Sequence, residues 1–130
     1  MAAIASGGVV AALDPDVERK VLGLIGLGMR ARNVVVGVER VRDAAKRGKL
    51  AFALVAPDAS ENSRDKVLPL LTARRVRIFE GPTAAALGAA VGKESAAAIG
   101  ITNAALAAGV RRLVDPGATA GRRSSAKGIR

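Results

Sequence analysis

A chain of 130 residues, half of them hydrophobic, has enough apolar content for one core and too little length for two large ones. Cysteine and histidine are absent, which excludes disulfides, the usual zinc sites and any histidine-based triad, and the 2% aromatic content leaves Ala, Val, Leu and Ile to fill the interior. The excess of 21 Lys and Arg over 11 Asp and Glu suits a polyanion, either nucleic acid or an acidic membrane surface by sign alone, while the few aromatics argue against binding single strands by base stacking.

Residues 1–13 are small, apolar and uncharged, and predict a flexible leader. They lack the basic stretch that opens a secretory signal. Order is expected from Asp14-Pro15, an acidic N-cap followed by proline at the first helical position, with Val17, Val21, Leu24 or Ile25, and Gly28 along one side of a helix to about Ala31. Gly26-Leu27-Gly28 falls late in that helix and follows no strand, so close helix-to-sheet packing explains it better than a dinucleotide site.

The β-branched run Asn33-Val34-Val35-Val36 predicts a short buried strand, and Gly37 a turn. Val38, Val41 and Ala45 then recur at helical spacing up to a C′ glycine at Gly48. Residues 50–56 form a nearly continuous apolar run that suits an interior strand ended by Pro57, and Ser60 is the expected N-cap of a helix carrying Val67, Leu68 and Leu71. Pro69 predicts a kink or a break in it.

Residues 76–80 predict a strand with Val76, Ile78 and Glu80 on one side and Arg77 and Phe79 on the other. A short alanine-rich helix follows Gly81-Pro82-Thr83 and closes near Gly92. The last strand is expected at 96–101, with Thr102 capping a helix toward Leu113 or Val114. Residues 14–116 thus form one domain, and 117–130 a basic flexible tail, either a phosphate-contacting arm or a solubilising segment.

Strands separated by helices specify an α/β fold, here a three-layer α/β/α sandwich around a small mixed sheet of about four strands. Asp14, Asp16, Asp58, Glu61 and Asp65 have no spacing that defines a catalytic site. Ser60 and Ser63 have no histidine to activate them. The expectation is a non-catalytic protein with no cofactor and no metal. No apolar run reaches membrane-spanning length, so no membrane association is expected, and a cytoplasmic location fits the missing cysteines.

Residues 33–48 stand out as a strand, a glycine turn and a charged helix able to present one face to a partner; an ordinary solvated helix is the plainer alternative. The order of segments resembles the kink-turn RNA-binding ribosomal protein family, the group of large-subunit ribosomal proteins seven-Ae and thirty-e and their small bacterial relatives. The resemblance is carried by Val21-Leu22-Gly23-Leu24 with Arg30-Ala31-Arg32, by Val35-Val36-Gly37, by Lys46-Arg47-Gly48-Lys49-Leu50-Ala51, and by Ala56-Pro57-Asp58-Ala59-Ser60-Glu61-Asn62. Leu87-Gly88-Ala89-Ala90-Val91-Gly92-Lys93 and Ala98-Ile99-Gly100-Ile101-Thr102 continue it, covering roughly residues 17–114.

The resemblance implies an RNA surface that combines the glycine turn and the start of the next helix with a distant loop. Here these are Gly37, Glu39, Arg40 and Asp43, opposed by the loop around Lys93 to Ala97; the stretch Glu94-Ser95-Ala96-Ala97 has little charge and small side chains, which would let RNA approach the backbone, with Lys93 nearby for phosphate. The family places an amide or lysine, then an acid or amide, after the glycine, and a lysine one turn later. In this chain the acid comes first, a guanidinium second, and Asp43 stands where the lysine is expected, with Arg47 four residues on as its natural partner. Arg30, Arg32, Lys46, Arg47 and Lys49 are expected to add less selective phosphate attraction. A contiguous positive patch beside Gly37 and Lys93 would favour RNA. Structured RNA, ribosomal RNA included, is the expected partner, with ribosomal or assembly proteins as further candidates; a protein-interaction or scaffold module of the same fold is the alternative.

Overall fold

The computed structural model describes residues 14–114. The leader expected at 1–13, the tail expected at 117–130 and residues 115–116 lie outside them. The elements in chain order are α1 (Pro15–Arg30), β1 (Val34–Val36), α2 (Val38–Lys46), β2 (Phe52–Val55), α3 (Glu61–Ala73), β3 (Ile78–Glu80), α4 (Ala84–Ala90), β4 (Ala98–Ile101) and α5 (Ala104–Val114).

Helix starts follow side-chain chemistry. The Asp16 N–H donates to Asp14 Oδ1 at 2.8 Å, the Ser63 N–H to Ser60 Oγ at 3.1 Å and the Ala86 N–H to Thr83 Oγ1 at 3.2 Å. The last helix departs from expectation: Asn103, not Thr102, caps α5, its Oδ1 accepting from the Leu106 N–H at 2.8 Å. Thr102 is occupied in the sheet, its N–H donating to the Asn33 carbonyl at 2.9 Å. Pro69 does not break α3, which runs through it as one helix. Both Pro69 and Asp65, whose carbonyl loses its intrahelical donor, lie on the exposed side of the helix, where solvent can reach the orphaned group.

Helices α1 to α4 end alike. After each, the C′ residue is left-handed and the next N–H reaches back to form the Schellman bond: Asn33 to Gly28, Lys49 to Ala44, Val76 to Leu71 and Lys93 to Gly88, all at 2.8–2.9 Å. The left-handed positions are Gly48 (φ 70°) and Gly92 (φ 78°), but also Arg32 (φ 63°) and Arg75 (φ 60°). A residue with a Cβ in that region costs about 1 kcal/mol against glycine, so two of these turns carry arginine against the backbone's preference.

The four strands lie in the order β1-β4-β2-β3, with β4 antiparallel to both neighbours and β2 parallel to β3. Strands β2, β3 and β4 begin later than the expected stretches, at Phe52, Ile78 and Ala98, because only residues with ladder partners join. Strand alternation sends Val34, Phe52, Leu54, Phe79, Ile99 and Ile101 to a core under α1, α4 and α5, and Ala53, Val55 and Ala98 to a second core under α2 and α3. Val76 and Ile78 lie with the second core and Phe79 in the first, as the alternation predicts. The three-layer α/β/α sandwich with a mixed sheet is therefore the observed architecture. Gly28 explains one close approach: a Cβ there would lie 2.8 Å from Val34 Cγ2 and 2.4 Å from Leu106 Cδ2.

Candidate nucleic-acid interface

Gly37 joins the end of β1 to the start of α2. Its φ of 103° is a backbone demand, since a Cβ there would meet nothing within 4 Å. Its N–H donates to the Ala98 carbonyl at 2.9 Å, and its carbonyl accepts from the Val41 N–H at 3.0 Å. The first bond ties the turn to the start of β4 and so to the loop 91–97 that precedes it. Sequence-distant candidates thus meet at one end of the sheet: Gly37, Glu39 and Arg40 on one side, Lys93, Glu94 and Ser95 on the other, with the charged side chains exposed.

The second loop is held stiffly. The Lys93 N–H donates to the Gly88 carbonyl at 2.8 Å, the Ala96 N–H to the Ala84 carbonyl at 3.0 Å, and the Ala97 carbonyl accepts from the Ala56 N–H at 2.9 Å. Gly88 lets this happen, because a Cβ there would stand 2.5 Å from Ser95 Cα. Ala96 is 4% exposed and belongs to the first core. Its side chain therefore faces inward, its N–H is already bonded to Ala84, and a bulky residue there would disturb packing before it tested contact.

Sequence reasoning missed the segment that braces this end. Asp58, just after β2, accepts from the Ala84 N–H at 2.8 Å and fastens the start of α4. Arg64 of α3 pairs with Glu80 at 2.7 Å, both side chains mostly buried, and its guanidinium also approaches the Ala56 carbonyl at 3.4 Å. The signal was present in Glu80 facing the α3 side of its strand. Glu80→Ala is expected to lower the unfolding free energy by about 1–2 kcal/mol by stranding a largely desolvated guanidinium; urea denaturation reads this directly.

Other candidates lie elsewhere. Helix α2, nine residues long, carries the chain roughly 13 Å away from Gly37. Lys46 and Arg47 therefore sit at the opposite end of the sheet, and so does Arg32, which precedes β1 beside the Asn33–Thr102 bond. Asp43 is intermediate, and pairs with Arg47, Nε to Oδ2 at 3.2 Å, as the i,i+4 spacing predicts. An open groove of about 470 Å³ runs along α2 beside edge strand β1, floored by Val35 and Ala44 and walled by Glu39, Arg40, Asp43, Arg47 and Lys49. The Gly37 end carries exposed groups of both signs, with Glu39, Asp58, Glu61 and Glu94 among Arg40 and Lys93. Among the described residues no group of His, Cys, Asp and Glu could hold a metal ion, and no helix is long and apolar enough to cross a membrane.

Comparison with known proteins agrees with this architecture. The RNA-binding protein YlxQ of Bacillus subtilis strain 168 is 30% identical over 92 residues, which is 71% of this chain and 92% of that protein. A solved structure of a Bacillus halodurans C protein of unknown function superposes with a TM-score of 0.69 at 28% identity, covering 74% of this chain and 97% of that one. The 15.5kD RNA binding protein of Giardia lamblia shares the fold with a TM-score of 0.67 at 20% identity, covering 82% of this chain and 92% of that one. The sequence pattern of one family spans residues 19–108, which takes in all the strands and α2 to α4 complete, and the chain belongs to that family, the Ribosomal protein L7Ae/L30e/S12e/Gadd45 family.

Proposed function

We propose that this protein binds structured RNA, of kink-turn or ribosomal type, and performs no chemistry on it. The observation that carries the reading is the Gly37 N–H bond to the Ala98 carbonyl, which sets the first turn of α2 against the rigid 91–97 loop. Family membership and the name of the Bacillus subtilis relative support it. In this reading Glu39 accepts hydrogen bonds from a guanine N1 or N2 edge, and Arg40 donates a bidentate pair to guanine O6 and N7 in a widened groove. The loop backbone at Glu94 and Ser95 is open to a sharply bent strand or a displaced nucleotide, with Lys93 beside it for phosphate.

The test is binding of the protein to a labelled kink-turn RNA and to a duplex of equal length without the bulge, at two salt concentrations. Tight, bulge-dependent binding is expected, with affinity falling steeply as salt rises. Equal affinity for the two RNAs would remove the recognition role from Glu39 and Arg40. A flat salt profile with no preference would favour a protein partner.

A further inference from the structure

The strands β1, β2 and β3 all begin at the end of the sheet opposite Gly37, because β4 alone runs the other way. Each is preceded by a left-handed Schellman turn, and each turn is basic: Arg30 and Arg32, then Lys46 and Lys49, then Arg74 and Arg75. No Asp or Glu occurs in residues 30–33, 46–51 or 73–77. All of these side chains are exposed, and among the described residues they make no ion pair or side-chain hydrogen bond.

Helix-dipole complementarity accounts for Arg30 and Lys46, which lie in the last turns of α1 and α2. It does not account for the groups beyond those turns. Nor does folding account for arginine at the left-handed C′ positions after α1 and α3, where the equivalent turns after α2 and α4 use glycine. An unfavourable backbone residue retained twice, at one end of the molecule, points to a use for its side chain.

We infer that this end is a second RNA surface, which holds the phosphate backbone of a duplex segment while the Gly37 end reads a different part of the RNA. At about 4.8 Å between strands, the β1 and β3 turns lie roughly 14 Å apart, a row long enough to follow several successive phosphates. The turns offer no aromatic group for stacking, so they contact backbone without reading bases. A lipid surface fits less well, because Leu27, outside the three turns, is the one exposed large hydrophobic residue among those described. The inference takes from the preceding section only that the polyanion is RNA.

The experiment compares the full chain with an Arg32→Gly/Arg75→Gly variant, which removes charge while giving both turns the residue their backbone favours. Binding to plain duplex RNA is expected to weaken at least tenfold, with a log–log salt slope shallower by about 1.5. The thermal midpoint is expected to stay level or rise. Arg40→Ala is expected to cost affinity only for the bulged RNA. Should the glycine variant fail to fold, Lys49→Ser/Arg74→Ser, which leaves the left-handed residues in place, is expected to show the same loss. Unchanged duplex affinity in a folded variant, an equal loss on plain duplex from Arg40→Ala, or binding to phosphatidylserine vesicles in place of duplex would each overturn the proposal. An Arg40→Ala variant with no effect on either RNA would sink the kink-turn reading and leave this one standing.

Discussion

Arg40→Ala is expected to weaken binding to a kink-turn RNA more than tenfold and to leave the fold intact. Arg40 is exposed in the first turn of α2 and makes no ion pair among the described residues, so its removal leaves no buried group stranded. A bidentate contact to guanine is worth roughly 1–3 kcal/mol in discrimination, and tenfold in affinity is about 1.4 kcal/mol. Arg40→Lys separates geometry from charge. A lysine keeps the attraction but not the planar fork, so salt dependence should persist while preference for the bulged RNA falls. Fluorescence anisotropy with bulged and plain RNA reads both. An unchanged dissociation constant for Arg40→Ala would show that recognition lies elsewhere on the molecule.

Gly88→Ala is expected to be the most damaging single added methyl group. Its Cβ would stand 2.5 Å from Ser95 Cα, 2.6 Å from its N and 2.8 Å from its C, all backbone atoms with no flexible end to swing away. The loop cannot simply retreat, since hydrogen bonds at Lys93 and Ala96 hold it on both sides and the Ala96 side chain is packed in the core. Alanine favours a helix over glycine by about 1 kcal/mol, and overpacking costs typically 1–3 kcal/mol or more. A net destabilisation of about 2 kcal/mol corresponds to a fall in thermal midpoint of roughly 8–16 °C for a domain of this size. RNA affinity should fall with it, because the loop is displaced from Gly37. A midpoint at or above that of the unaltered protein would mean that the helix gain exceeds the crowding and that the loop is far softer than its hydrogen bonds imply.

Much of the fold was legible because local chemistry and tertiary packing agree. Asp14-Pro15, Ser60 and Gly48 each mark a helix boundary through an unsatisfied backbone group or a required left-handed residue, and the structure uses all of them so. Gly37 and the 91–97 loop were paired by resemblance, and the bond to Ala98 joins them. Other features depend on where strands lie, which no local pattern records. Lys46 and Arg47 follow Arg40 closely in sequence, yet the intervening helix crosses the sheet and delivers them to the far end. Ala96 looked like an open loop residue because alanine gives no sign of burial. Arg32 and Arg75 sit where glycine would mark the turn, so the usual signal is missing at those helix ends.

The central position of β4 also sets the order in which the protein can be completed. Strand β1 pairs with β4 alone, so it has no hydrogen-bonded neighbour until residues 98–101 exist. At synthesis rates of about 5–20 residues per second, β1 waits several seconds for its partner while the β2–β3 pair can already form. The last strand then enters between β1 and β2, closing the sheet and bringing the Ala98 carbonyl to the Gly37 turn in a single event. A nascent chain shorter than this lacks both the closed sheet and the joined Gly37 turn and 91–97 loop, so the end of the sheet proposed to read RNA is completed late and together with the fold.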